Sequence, residues 1–91
     1  MASLLSVHLG PVALPMADAL ALYGAKTAAW RETLRDERHV EAVAIWNAIQ
    51  LADKAAKGIP CRPITSPALD AATVRLVAEL TGAPSVEREA A

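Results

Sequence analysis

Apolar residues recur at alternating intervals of four and three along the first third of the chain. This stripe consists of Met16, Leu20, Tyr23, Thr27, Trp30 and Leu34. Such spacing places side chains on one face of an α-helix, and another helix must cover that face. Pro15 suits the first turn of a helix and Asp18 complements its dipole. The pattern therefore predicts a helix from about residue 15 to about residue 35.

A second stripe follows in the same helical register, and the charged residues Arg38 and Glu41 lie between the two. It consists of Ile45, Ile49, Ala52 and Ala56. On one straight helix, Trp46 would lie about 160° from Trp30 around the axis, so the two rings would need two separate cores. A bend near Asp36 lets both rings face one core, whereas a straight helix requires a partner subunit. We favour the bend.

Glycine and proline mark the later helix boundaries. Gly58 followed by Pro60 predicts the end of the second helix, because glycine adopts the left-handed cap and proline cannot continue the helix. Ser66 and Pro67 predict the N-cap and first position of a third helix. Gly82 predicts its end.

The N-terminal residues precede these helices. Residues 3–9 alternate weakly between apolar and polar, and residues 12–14 form a second extended piece that we interpret as too short to make a hairpin. We expect this arm to lie on a neighbouring chain or to pack irregularly over the helices. The predicted fold class is all-α, a small bundle of two to three main helices with an extended N-terminal arm. We divide the chain into the arm (1–14), the helical domain (15–83) and a short charged tail (84–91).

Composition limits the area that the 91 residues can bury. The chain has no Phe, two Trp and one Tyr, and much of its 54% apolar content is alanine, which contributes little burial. A thin, alanine-lined core favours helices shared between subunits, so we expect a protein partner or self-association. The predicted interface residues are Leu5, Val7 and Leu9 on the arm and Tyr23, Trp30, Val40, Val43 and Trp46 on the helices.

Charge gives little support for a nucleic-acid partner. Nine basic and ten acidic residues give a net charge of −1, so no overall field attracts phosphate. Arg31, Arg35 and Arg38 form one basic cluster, a candidate ionic contact for phosphate or carboxylate. Acidic residues are interleaved with them, and this pattern favours a solvated, internally paired helix surface.

Reactive side chains are few. Cys61 lies beside Arg62, which could activate its thiol, but a nucleophile also needs a base such as His39 to be brought to it. We predict no catalytic residue, no metal site and no cofactor.

The sequence also bears on where the protein is located. A single cysteine fits a reducing compartment, and the N-terminus is a poor signal peptide. The most apolar stretch, 40–52, is too short to span a bilayer. We therefore expect a cytoplasmic protein, or one within a particle assembled there, that does not contact a membrane.

These patterns favour a non-enzymatic small helical subunit or adaptor that oligomerises or docks into a larger assembly, such as a phage particle. The alternative is a DNA-associated regulator or antitoxin-like dimer. Residues 74–86 resemble the first half of a helix-turn-helix, in which a small residue precedes the turn glycine by four. Residues 87–91, however, are too few and too acidic to read a major groove. A small helical enzyme with a site between subunits is the third class, and no motif supports it.

Overall fold

The computed structural model describes residues 5–82, which form a two-stranded antiparallel sheet followed by three α-helices. The elements are β1 (Ser6–Leu9), β2 (Val12–Pro15), α1 (Met16–Thr33), α2 (Asp36–Lys57) and α3 (Pro67–Thr81). The mostly helical class is confirmed, and a small sheet is added to it. The tail beyond residue 83 lies outside the described residues.

The N-terminal residues form a hairpin, so our expectation of an extended arm without an internal partner is wrong. Val7 pairs with Leu14, and Leu9 pairs with Val12 across a two-residue loop. Gly10 opens that loop with φ of +57° and a proline follows, which is the order of φ signs in a type II′ hairpin turn. The Gly-Pro dipeptide was the missed signal.

The hairpin is held by the helices rather than by its own short strands. Val7 and Leu9 are buried in the chain's own core. Its turn also approaches α3 closely, because a Cβ added at Gly10 would lie 3.3 Å from Cγ2 of Val77. Two strands of four residues are marginal alone, and packing supplies what they lack.

The predicted bend is confirmed, and it falls between α1 and α2. Leu34 adopts a left-handed conformation with φ of 55°, and its N–H donates to the carbonyl of Trp30 at 2.6 Å. The chain then re-enters a helix at Asp36. The stripe predicted that Leu20 and Leu34 lie on the covered face of α1. Both are exposed instead, Leu34 to 73%. Ala19 is the buried residue of α1.

The ends of the later helices agree with the sequence. Gly58 adopts the left-handed conformation with φ of +70°, and the N–H of Ile59 reaches back to the carbonyl of Lys54 at 2.9 Å, as in a Schellman cap. The Ser66 Oγ accepts a hydrogen bond from the N–H of Leu69 at 3.1 Å. Both boundaries depend on local capping, which is why the sequence reveals them.

The core surrounds α2, against which α1, α3 and β1 all pack. Ile45 and Ile49 are buried as the second stripe predicts, whereas Ala56 at its end is exposed. The buried core consists of Val7, Leu9, Ala19, Ala44, Ile45, Ala48, Ile49, Leu69, Ala72 and Leu76. Alanine at several of these positions lets the helices approach closely.

Candidate functional site

The α1–α2 bend brings the aromatic residues of both helices into one groove of about 260 Å³. We call it the aromatic groove. It is lined by Tyr23, Thr27, Trp30 and Arg31 from α1 and by His39, Ala42, Val43 and Trp46 from α2. Both tryptophans line this open groove, whereas the bend was expected to turn them towards one core.

Each tryptophan is held by a ring on the opposite helix. The ring centroids of Tyr23 and Trp46 are 5.3 Å apart at an interplanar angle of 37°, and those of Trp30 and His39 are 4.9 Å apart at 41°. Tilted pairs at such distances are favourable beyond their buried area. Trp46 is nevertheless 43% exposed. The groove therefore presents positioned aromatic surface to solvent.

The predicted interface residues separate into two groups. Tyr23, Trp30, Val43 and Trp46 line the aromatic groove. Val40 is half-buried and packs against the core. The residues predicted on the arm are located elsewhere.

Val7 and Leu9 require correction as interface residues. Their side chains are buried in the chain's own core, where they cannot contact a partner directly. Leu5 lines a second groove, beside β1. Val7 and Leu9 are buried because the hairpin turns their side of β1 onto the helices.

The three arginines of the basic cluster do not share one face. Arg31 lies in the last turn of α1 and lines the aromatic groove, whereas Arg35 is the N-cap of α2. Because α1 ends at Thr33 and α2 begins at Asp36, Arg31 and Arg35 do not lie one turn apart on a single helix. Arg38 Nη1 donates to Glu41 Oε1 at 2.9 Å. Of the three, only Arg31 adds positive charge to the aromatic groove.

Glu41 is buried, although the alternating charges around it predicted a solvated helix surface. It is only 2% exposed, yet its carboxylate meets cations from three helices. Arg75 Nε on α3 donates to its Oε2 at 3.2 Å, and Lys26 Nζ on α1 lies 3.7 Å from its Oε1. With Arg38, these residues form the Glu41 cluster. The expected pairing of Arg38 with an acidic residue is present, but the carboxylate of the pair is buried while Arg38 remains partly exposed.

Burial by itself raises the pKa of Glu41, but the hydrogen bonds from Arg38 and Arg75 and the charge of Lys26 outweigh it. The net result is a pKa below the usual range for glutamate. Glu41 is therefore a fixed anion that joins α1, α2 and α3. A signal was present in the sequence, since Glu41 lies in the register of the apolar stripes, where a carboxylate needs cationic partners.

Cys61 and His39 are not brought together. His39 instead stacks on Trp30, with ring centroids 4.9 Å apart, and Cys61 lies half-buried in the loop that follows α2. Among residues 5–82, no group of three or more His, Cys, Asp or Glu side chains is placed to hold a metal ion. Within the same residues, no helix has the length and apolar character needed to cross a bilayer.

The segment that resembles half of a helix-turn-helix ends as an ordinary helix. α3 stops at Thr81, and Gly82 caps it in the left-handed conformation. The second helix of such a motif would fall in residues 83–91, which lie outside the described part of the chain.

Within residues 5–82, the fold is a small three-helix protein with an N-terminal hairpin and a solvent-open aromatic groove. Comparisons with models of known protein families, with curated proteins and with solved structures found no match for this chain. The side chains of the groove indicate what it can bind. Apolar rings beside one fixed positive charge suit an apolar group that carries a neighbouring anion.

Proposed function

We propose that this protein is a non-enzymatic helical subunit or adaptor that docks onto a partner protein through the aromatic groove. The observation that carries the proposal is the convergence of Tyr23, Trp30 and Trp46 in one groove that remains open to solvent. Tryptophan, tyrosine and arginine are the residues most enriched where binding energy concentrates in protein interfaces. Arg31 completes that set.

The chemistry of the groove defines the partner segment. Ala42 and Val43 line the groove together with the aromatic rings, so its lining suits an aliphatic or aromatic side chain of the partner. A carboxylate next to that side chain can accept from the Arg31 guanidinium, which is always charged. We therefore propose a segment with an apolar anchor and an acidic neighbour.

The DNA-associated alternative has less support. Arg38 is engaged by Glu41, and Arg31 and Arg35 lie on different helical segments. These three arginines, all within residues 5–82, thus do not form one phosphate-binding surface. We do not extend the proposal to nucleic acid.

Site-specific photo-crosslinking in the source cells tests the proposal. A photoreactive phenylalanine replaces Trp46, and a matched control carries it in place of Val74, which is 69% exposed on α3. We expect a discrete protein adduct from position 46 that position 74 does not give. Equal adducts from both positions, or none from position 46, would contradict the proposal.

A further inference from the structure

Leu34, at the α1–α2 bend, has a backbone conformation that disfavours leucine. Within residues 5–82 it is the one residue other than glycine with positive φ, at 55°. The left-handed conformation brings Cβ close to the following carbonyl oxygen, so it is unfavourable for any residue that carries a Cβ. At the ends of α2 and α3, the chain places Gly58 and Gly82 in the same conformation. Glycine would therefore suit position 34 better than leucine does.

The side chain of Leu34 gains little burial in return. It is 73% exposed and belongs neither to the core nor to the half-buried residues packed against the core. An exposed leucine is ordinary by itself, but this one coincides with a conformation that disfavours it. The packing of the described chain thus does not account for leucine at position 34. Strained residues concentrate where proteins bind other molecules, so the coincidence favours a role in binding.

Leu34 follows directly from one end of the aromatic groove. The far end of the groove is formed by the ring pair of Tyr23 and Trp46. The end next to the bend is formed by Trp30 and His39. The N–H of Leu34 donates to the carbonyl of Trp30 at 2.6 Å, which places Leu34 one turn, or about 6 Å along the axis, beyond that tryptophan. A segment that leaves the groove at this end reaches the exposed leucine.

We infer that Leu34 is a second apolar contact for the partner segment that docks in the aromatic groove. This inference rests on the proposed function and defines the segment further. Arg31 lines the groove and precedes Leu34 by three residues, so its guanidinium belongs to the turn between the two apolar contacts. The acidic residue of the partner therefore lies between two apolar residues, one in the groove and one on Leu34.

Thermal unfolding tests whether the fold itself requires the leucine. Leu34→Gly should raise the thermal midpoint by about 4 °C or more, because glycine adopts the left-handed cap without strain. Leu34→Asn should raise it by less, and Leu34→Met, which keeps an apolar side chain on a restricted backbone, should leave it unchanged. A lower midpoint for Leu34→Gly would show that the chain's own packing requires the leucine, and the inference would be overturned.

The yield of the photo-crosslinked adduct from position 46 measures docking in the source cells. Each substitution at position 34 is combined with the photoreactive phenylalanine that replaces Trp46. We expect Leu34→Gly and Leu34→Asn to lower the yield at least fivefold and Leu34→Met to retain it. Val74→Asn, the matched control at an exposed apolar position of α3, should not change the yield. Unchanged yields in Leu34→Gly and Leu34→Asn would overturn the inference and leave the proposed function intact.

Photoreactive phenylalanine at position 34 itself tests the position of the partner segment. We expect an adduct with the same protein as from position 46, at a site within about ten residues of the other and separated from it by an acidic residue. An adduct with a different protein or with a second copy of this chain, or no adduct, would overturn the inference. If position 46 gives no adduct, the proposed function fails and this inference fails with it.

Discussion

At the scale of single residues, Glu41 is the most consequential side chain outside the aromatic groove. A buried carboxylate is unfavourable unless cations and hydrogen-bond donors compensate for its lost hydration. Here Lys26, Arg38 and Arg75 come from three different helices, so compensation requires that all three be packed correctly. The cluster thus links the charge of one residue to the arrangement of the bundle.

Removing the charge of Glu41 should destabilise the fold. We expect Glu41→Gln to lower the free energy of unfolding by about 1–3 kcal/mol, because the arginine side chains are half-exposed and can regain hydration. The matched control is Glu79→Gln, which neutralises an exposed partner of Lys26 and should change stability by less than about 1 kcal/mol. Urea denaturation measures both. Equal losses of unfolding free energy in the two variants would show that the burial of Glu41 does not set the size of its contribution.

The same residue predicts a pH dependence. Because the pKa of Glu41 is lowered on folding, its contribution is fully present above the unfolded pKa of about 4.3 and is lost as pH falls through the folded pKa. The stability difference between the unmodified chain and Glu41→Gln should therefore be constant near neutral pH and shrink below about pH 4.3. Urea midpoints between pH 3 and 7 measure it. A difference that grew in acid would contradict the assignment.

At the scale of elements, the sequence predicts what local chemistry determines. The ends of α2 and α3 follow from Gly58 and Ser66, because caps depend on only a few neighbouring residues. The hairpin was missed because its stability comes from the burial of Val7 and Leu9 against distant helices. The covered face of α1 was misplaced at Leu20 because apolar and alanine residues occur around most of that helix, so packing against α2 selects the face.

Two glycines of the helices have opposite conformational requirements. Gly24 lies inside α1 with nothing within 4 Å of a built Cβ, so Gly24→Ala should raise stability by about 0.5–1 kcal/mol. Gly58→Ala should lower it by about 1–2 kcal/mol, because φ of +70° is unfavourable for a residue with a Cβ. Thermal unfolding measures both. A loss of stability in Gly24→Ala, or a gain in Gly58→Ala, would contradict the assigned conformations.

At the scale of the whole molecule, the aromatic groove and the Glu41 cluster both depend on how α1 packs against α2. Convergence of Trp30 and Trp46 could be predicted, since it required only helical periodicity and one bend. The Glu41 cluster could not, because Lys26 and Arg75 meet Glu41 through tertiary packing. The charge pattern between residues 31 and 41 therefore has two roles, an internal anchor at Glu41 and a cation beside the groove at Arg31.

Docking through the aromatic groove is tested by the affinity for the partner that crosslinking identifies, measured by titration calorimetry. We predict that Trp46→Ala weakens binding at least tenfold, as expected when a central aromatic residue is truncated, while Val74→Ala leaves affinity unchanged. Circular dichroism should show both variants folded. Equal affinity of Trp46→Ala and the unmodified chain would contradict docking through the aromatic groove.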